Sequence, residues 1–118
     1  MTWDWAVGMI RIPRYVPYDI GMAVIRRSGG YCEACEARLI MDSLTEGAAF
    51  HHRLPRSAGG GESLINLMLV HHSCHNVAPG SIHQNPARSY RMGHLVHRGS
   101  DPADMPILTA PGLREMRA

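Results

Sequence analysis

Lysine is absent: all twelve cationic side chains among the 118 residues are arginine. Guanidinium forks suit phosphate oxygens, but a GC-rich genome writes arginine for lysine whatever the function, so the bias alone decides nothing. Excess charge is also scarce. A net charge of +2 excludes a strong global field, so any affinity for nucleic acid must come from a local patch. Cysteine is sparse and odd in number, three in all, which excludes a complete disulfide framework. No apolar run is long enough to span a membrane, and charges and proline interrupt the opening stretch, so neither a membrane protein nor a secretory signal is expected. The expected setting is a reducing cytoplasm, where CxxC more often means metal than disulfide. The length suits one domain, and so small a domain often needs a staple such as a metal ion.

Residues 1–18 mix tryptophan, tyrosine, proline and glycine without periodicity and read as an irregular arm. Asp19 is placed to cap a helix over Ile20 to Arg27, which Ser28-Gly29-Gly30 stops. Tyr31 to Cys35 reads as a tight knuckle, and Leu39 to Ala49 as a loop or loosely paired strand. Ala48 to Leu54 is expected to be a strand, residues 55–63 with Gly59-Gly60-Gly61 a mobile loop, and Leu67 to Val70 the second strand of a hairpin. From His71 a second knuckle leads into a helix that Pro79-Gly80 interrupts and Ser81 can recap. Pro86 opens a further helix over Ala87 to Met92, closed by Gly93. His94 to Arg98 reads as a strand, and residues 99–118, rich in proline, as an extended tail.

Two groups of residues carry chemistry. Zinc takes four soft or borderline ligands in a tetrahedron, often from two knuckles. Cys32 and Cys35 form one pair; His71 and Cys74 form the natural second, giving a Cys3His site that contributes folding energy. His72 competes for the place of His71, but it stands too close to Cys74 for a standard knuckle. Buried free thiols or a redox pair remain the other reading. The second group is the histidine pair His51-His52 with His75 and His83. Neighbours on a strand face opposite ways, so one of the pair can face a metal and the other an attacking water.

Taken in order, His51-His52-Arg53-x-Pro55-Arg56-Ser57, Gly59-Gly60, Asn66-Leu67-x-Leu69 and His71-x-x-Cys74-His75 resemble the HNH endonucleases. Ile82-His83-x-Asn85-Pro86, Leu95-Val96 and Asp101-Pro102-Ala103 look like phage-encoded members of that family. The resemblance implies an α+β fold, a small single domain with a ββα-metal (His-Me finger) core stapled by a structural zinc knuckle pair. The nuclease domain would span residues 19–98, with its core motif over about 30–86. It implies DNA as substrate, hydrolysed with one catalytic divalent cation (Mg2+, Mn2+, Ni2+ or Zn2+) beside the structural Zn2+. His51 would be a ligand and His52 the general base, which neutral imidazole suits near pH 7.

Asn66 would hold His52 in orientation, although it also reads as a plain turn residue. His75 would be the second ligand. Family members often place another ligand four residues later, where this chain has Pro79. His83 is eight residues on, about 12 Å away along an unbroken helix. Residues 78–81 therefore read as a four-residue insertion that loops out and returns His83 to the metal; otherwise His83 is an exposed polar residue. Arg53 and Arg56 are candidates for phosphate contacts. By analogy with phage relatives, a terminase or another packaging protein is a candidate partner. A zinc-stapled DNA-binding module without activity, or a small zinc-binding adaptor, is the competing reading.

Overall fold

The computed structural model describes residues 12–39, 47–109 and 112–114. Most of the N-terminal arm, most of the 39–49 segment and the last residues of the tail lie outside them.

Helix α1 spans Tyr18–Ser28. It starts earlier than expected: Pro17 holds the N-cap position, no side chain caps it, and Asp19 lies inside the first turn, where a carboxylate still favours the helix dipole. Gly29 closes the helix in the left-handed conformation at φ 64°, returning its N–H to Arg26 and Ile25, the usual glycine exit. Val24 and Ile25 are fully buried, and α1 packs on the second strand of the hairpin that follows.

That hairpin joins β1 (Ala48–His52) and β2 (Leu67–His71) in antiparallel register, with His51 opposite Met68 and His52 opposite Leu67. β1 ends two residues sooner than expected because the next backbone groups bond elsewhere. The Arg53 carbonyl accepts from Val96 N–H, and Leu54 N–H donates to the Asn66 side chain. Leu67, Met68, Leu69 and Val70 are all fully buried, so β2 is the middle of the core, with Phe50, Leu39, Ile82, Leu95 and Ile107 around it.

After β2 the chain makes one π-helical turn over Ser73–Val77. Residues 78–81 then swing out, and Ile82 N–H bonds the Cys74 carbonyl at 2.7 Å while His83 N–H bonds His75 at 3.2 Å. With the four residues excised, both would be ordinary i to i−4 helical bonds. Helix α2 spans Pro86–Arg91 with Pro86 in its first turn. The strand expected over His94 to Arg98 does not form. His94 and Leu95 N–H groups both turn back onto the Ser89 carbonyl, and Val96 N–H donates to the Arg53 carbonyl. The segment beyond residue 98 is not simply extended either. Pro102–Asp104 makes a 3-10 turn capped by Asp101, and β3 (Ile107–Thr109) pairs with β4 (Gly112–Arg114). Burial of Ile107 against the core gives this segment an anchor that its prolines do not advertise. No helix among the described residues is long and apolar enough to cross a membrane.

Candidate metal centres and the histidine beside them

Cys32, Cys35, His71 and Cys74 bring one ligand atom each to within 4.8 Å of one another. Cys35 Sγ lies 3.5 Å and Cys74 Sγ 3.7 Å from His71 Nδ1. Sulfur and nitrogen on one tetrahedral zinc stand about 3.6 Å apart, given the usual bond lengths, so the residues fit that ion. The surroundings fit too. His71 Nε2–H donates to the Arg38 carbonyl at 3.0 Å, which leaves Nδ1 as the lone-pair nitrogen facing the thiols. Backbone N–H groups of His71 and Ala37 approach Cys32 and Cys35 Sγ at 3.4 Å each. Burial pushes the Cys32 and Cys74 thiols up, and the neighbouring cysteines push Cys74 further. Crowded thiols of this kind become stable thiolates when a cation neutralises them. This Cys3His cluster suggests a structural zinc. His72 stays outside it, exposed on the surface.

The second cluster is made of His51, His75 and His83, again with ligand atoms within 4.8 Å. Each comes from a different place: β1, the π turn, and the turn that follows the 78–81 loop. His75 and His83 Nε2 are 3.1 Å apart. Two imidazole nitrogens on one ion are about 3.0 Å apart in a cis octahedral arrangement and 3.3 Å in a tetrahedron, so this separation suits a shared divalent cation. His51 is buried, and its Nε2–H donates to the His94 carbonyl at 2.6 Å, leaving Nδ1 for a ligand. Burial lowers the pKa of His51 to about 3, with the nearby His75 and His83 adding to the fall and the His94 bond opposing it. Burial also lowers His75 to about 4, helped by the proximity of His83, His72 and His52. Both rings are therefore neutral at pH 7, the form that binds metal.

His52 points the other way from His51, as strand alternation requires. Its Nε2 is 2.7 Å from Glu62 Oε1, and its ring centroid is 5.9 Å from that of Tyr15. Asn66 does not touch the His52 ring. It is buried, accepts from Leu54 N–H at 2.8 Å, and donates to the Leu54 and Gly61 carbonyls at 3.1 and 3.0 Å. Asn66 thus fixes the backbone two residues after His52 and one before Glu62. Gly60 permits this fold of the loop: a Cβ there would meet the Leu54 carbonyl oxygen at 1.7 Å.

The two arginines part company. Arg53, expected at a phosphate, is wholly buried. Its guanidinium donates to the carbonyls of Gly93 (2.8 Å), Ile65 and Pro102 (both 3.0 Å) and Met105. Burial lowers its pKa to about 10, which still leaves it charged at neutral pH. It is a clamp between segments and has no face left for DNA. Arg56 remains available, with its side chain 61% exposed, 3.6 Å from Glu62 and 4.9 Å from the centroid of the Tyr15 ring.

Sequence reasoning missed Glu62, Tyr15 and the His94 carbonyl. Glu62 had a faint signal, a carboxylate ending the glycine run four residues before Asn66. A backbone carbonyl has none, since every residue carries one.

No curated protein and no solved structure matches this chain. Residues 32–78 match the family model described as HNH endonuclease, a span that holds the whole zinc cluster, the His51-His52 pair, Asn66 and His75. Over those residues the chain is similar to HNH endonucleases, which suggests a function of nuclease or DNA-binding type.

Proposed function

We propose that the protein is an endonuclease that hydrolyses DNA phosphodiester bonds with one divalent cation and His52 as general base. The observation that carries the reading is the division of labour on β1: His51 turns to two further histidines, His75 and His83, while His52 turns away to a carboxylate. His51, His75 and His83 would hold the cation. Bound there, the cation supplies electrostatic stabilisation of the charge that builds on the phosphate and the leaving oxygen. His52 takes the proton of the attacking water. Asn66 keeps the strand end and the glycine loop in fixed relation, and Arg56, exposed beside this group, meets a phosphate of the DNA.

The reading takes DNA as partner. A place in phage DNA packaging in the host cytoplasm, with a terminase as partner, rests on the resemblance of the sequence after the motif. Plasmid nicking in Mg2+, Mn2+, Ni2+ and Zn2+ tests the activity. Wild-type protein is expected to nick in at least one of these, and His52→Ala to lose at least 100-fold while keeping its melting temperature. Equal nicking by both proteins would refute the role of His52. Salt-dependent DNA binding without cleavage would instead leave a binding module.

A further inference from the structure

We infer that Glu62 is the positioning residue for His52, fixing which of its ring nitrogens is free to take a proton; this deepens the nuclease reading and rests on it. Glu62 Oε1 is 2.7 Å from His52 Nε2. A carboxylate can only accept, so the ring proton sits on Nε2 and the lone pair on Nδ1. The other oxygen, Oε2, faces Arg56 Nε at 3.6 Å. Glu62 therefore divides its two oxygens between the base and the exposed arginine, and neither contact displaces the other. At 19% exposure against 12% for His52, the pair is shielded enough to hold one geometry.

The loop that carries Glu62 is itself held. Asn66 Nδ2 donates to the Gly61 carbonyl next door, Gly60 N–H returns to Pro55, and Gly60 leaves no room for a side chain. The asparagine thus acts on His52 at one remove, through the residue it delivers. In the hydrolytic step, the water oxygen forms the new bond to phosphorus as its proton passes to His52 Nδ1. The bond to the 3′ oxygen breaks, and that oxygen leaves with the electron pair and takes a proton from solvent. The Glu62 carboxylate stays anionic throughout, orienting the ring and balancing the imidazolium that forms.

The test uses the zinc-loaded full chain and its Glu62→Ala and Glu62→Gln variants. Nitrogen-15 spectra at pH 8.5 read the tautomer of His52 without any need for activity. The proton is expected on Nε2 in wild type and in Glu62→Gln, whose side-chain oxygen can still accept, and divided between the nitrogens in Glu62→Ala. Nicking in Mn2+ should fall 10- to 100-fold in kcat for Glu62→Ala, with KM within two-fold, and less for Glu62→Gln. A purely structural role would lower the melting temperature without moving the tautomer. An Nδ1–H tautomer in wild type, or an unchanged tautomer in Glu62→Ala, would overturn the inference. If wild type cuts in none of the metals, the nuclease reading fails, and the tautomer comparison still decides the Glu62–His52 contact.

Discussion

Replacing Arg53 separates a clamp from a phosphate contact. Its three nitrogens make four bonds to carbonyls drawn from residues 65, 93, 102 and 105. A hydrogen bond from a charged group contributes about 1.5–3 kcal/mol net of the water it replaces. Bonds that share one guanidinium do not add fully. The loss in Arg53→Ala is then about 3–5 kcal/mol, the scale for breaking the contacts of a buried charge. A domain of this size has about 5–15 kcal/mol in all, so the variant should be badly destabilised. Arg53→Lys keeps the charge but has three donors on one atom and no fork, and should fall between the two. Urea denaturation followed by circular dichroism measures this directly. A midpoint for Arg53→Ala within error of wild type, together with a loss of DNA affinity, would refute the clamp and restore the phosphate role.

A zinc held by the Cys3His cluster should be decisive for folding. Structural zinc contributes about 10–16 kcal/mol in small domains, more than the net stability, so Cys35→Ser should purify without zinc and without a cooperative melt; a zinc-free variant with wild-type melting would contradict the Cys3His assignment. Deleting residues 78–81 should leave a folded protein, because the Ile82–Cys74 and His83–His75 backbone bonds do not need the loop. The side-chain bonds lost run from Asn85 to Pro79 and Ser81 and from Arg88 to Gly80; the Ala78 N–H bond to the Ser73 carbonyl and the buried Ser81 go with them. Calorimetric affinity for Ni2+ should stay within about three-fold, the scale of a fraction of 1.4 kcal/mol; a folded deletion variant that has lost Ni2+ binding would show that the loop itself shapes the triad.

Residue type and spacing made the two clusters legible. CxxC with a second knuckle named the four atoms of one cluster, and counting the residues between His75 and His83 exposed a four-residue excess that the backbone bonds bypass. Arginine beside the histidine pair was misleading for a physical reason. A guanidinium serves phosphates and carbonyl clusters equally well, and the four carbonyls around Arg53 come from distant residues that share no sequence signature. The end of β1 and the missing strand at residues 94–98 failed for a related reason. Their alternating pattern is real, but the partners of Arg53, Leu54 and Val96 are set by tertiary bonds, which override local preference.

Alternation along β1 also explains how two environments share one strand end. His51 and Arg53, two residues apart, both turn toward the 93–105 segment: His51 donates to the His94 carbonyl, and Arg53 donates to the carbonyls of Gly93, Pro102 and Met105. His52, between them, turns to Glu62 on the opposite side. The family match stops at residue 78, yet the group that fixes the His51 tautomer and the third histidine of the triad both lie beyond it. The Cys3His cluster is thus complete within the matched span, whereas the histidine triad is assembled only when the following segment packs back. Arg53 ties that segment down through the carbonyls of Gly93, Pro102 and Met105, so it bears on the His51 ring through the carbonyl one residue along from the first that it grips.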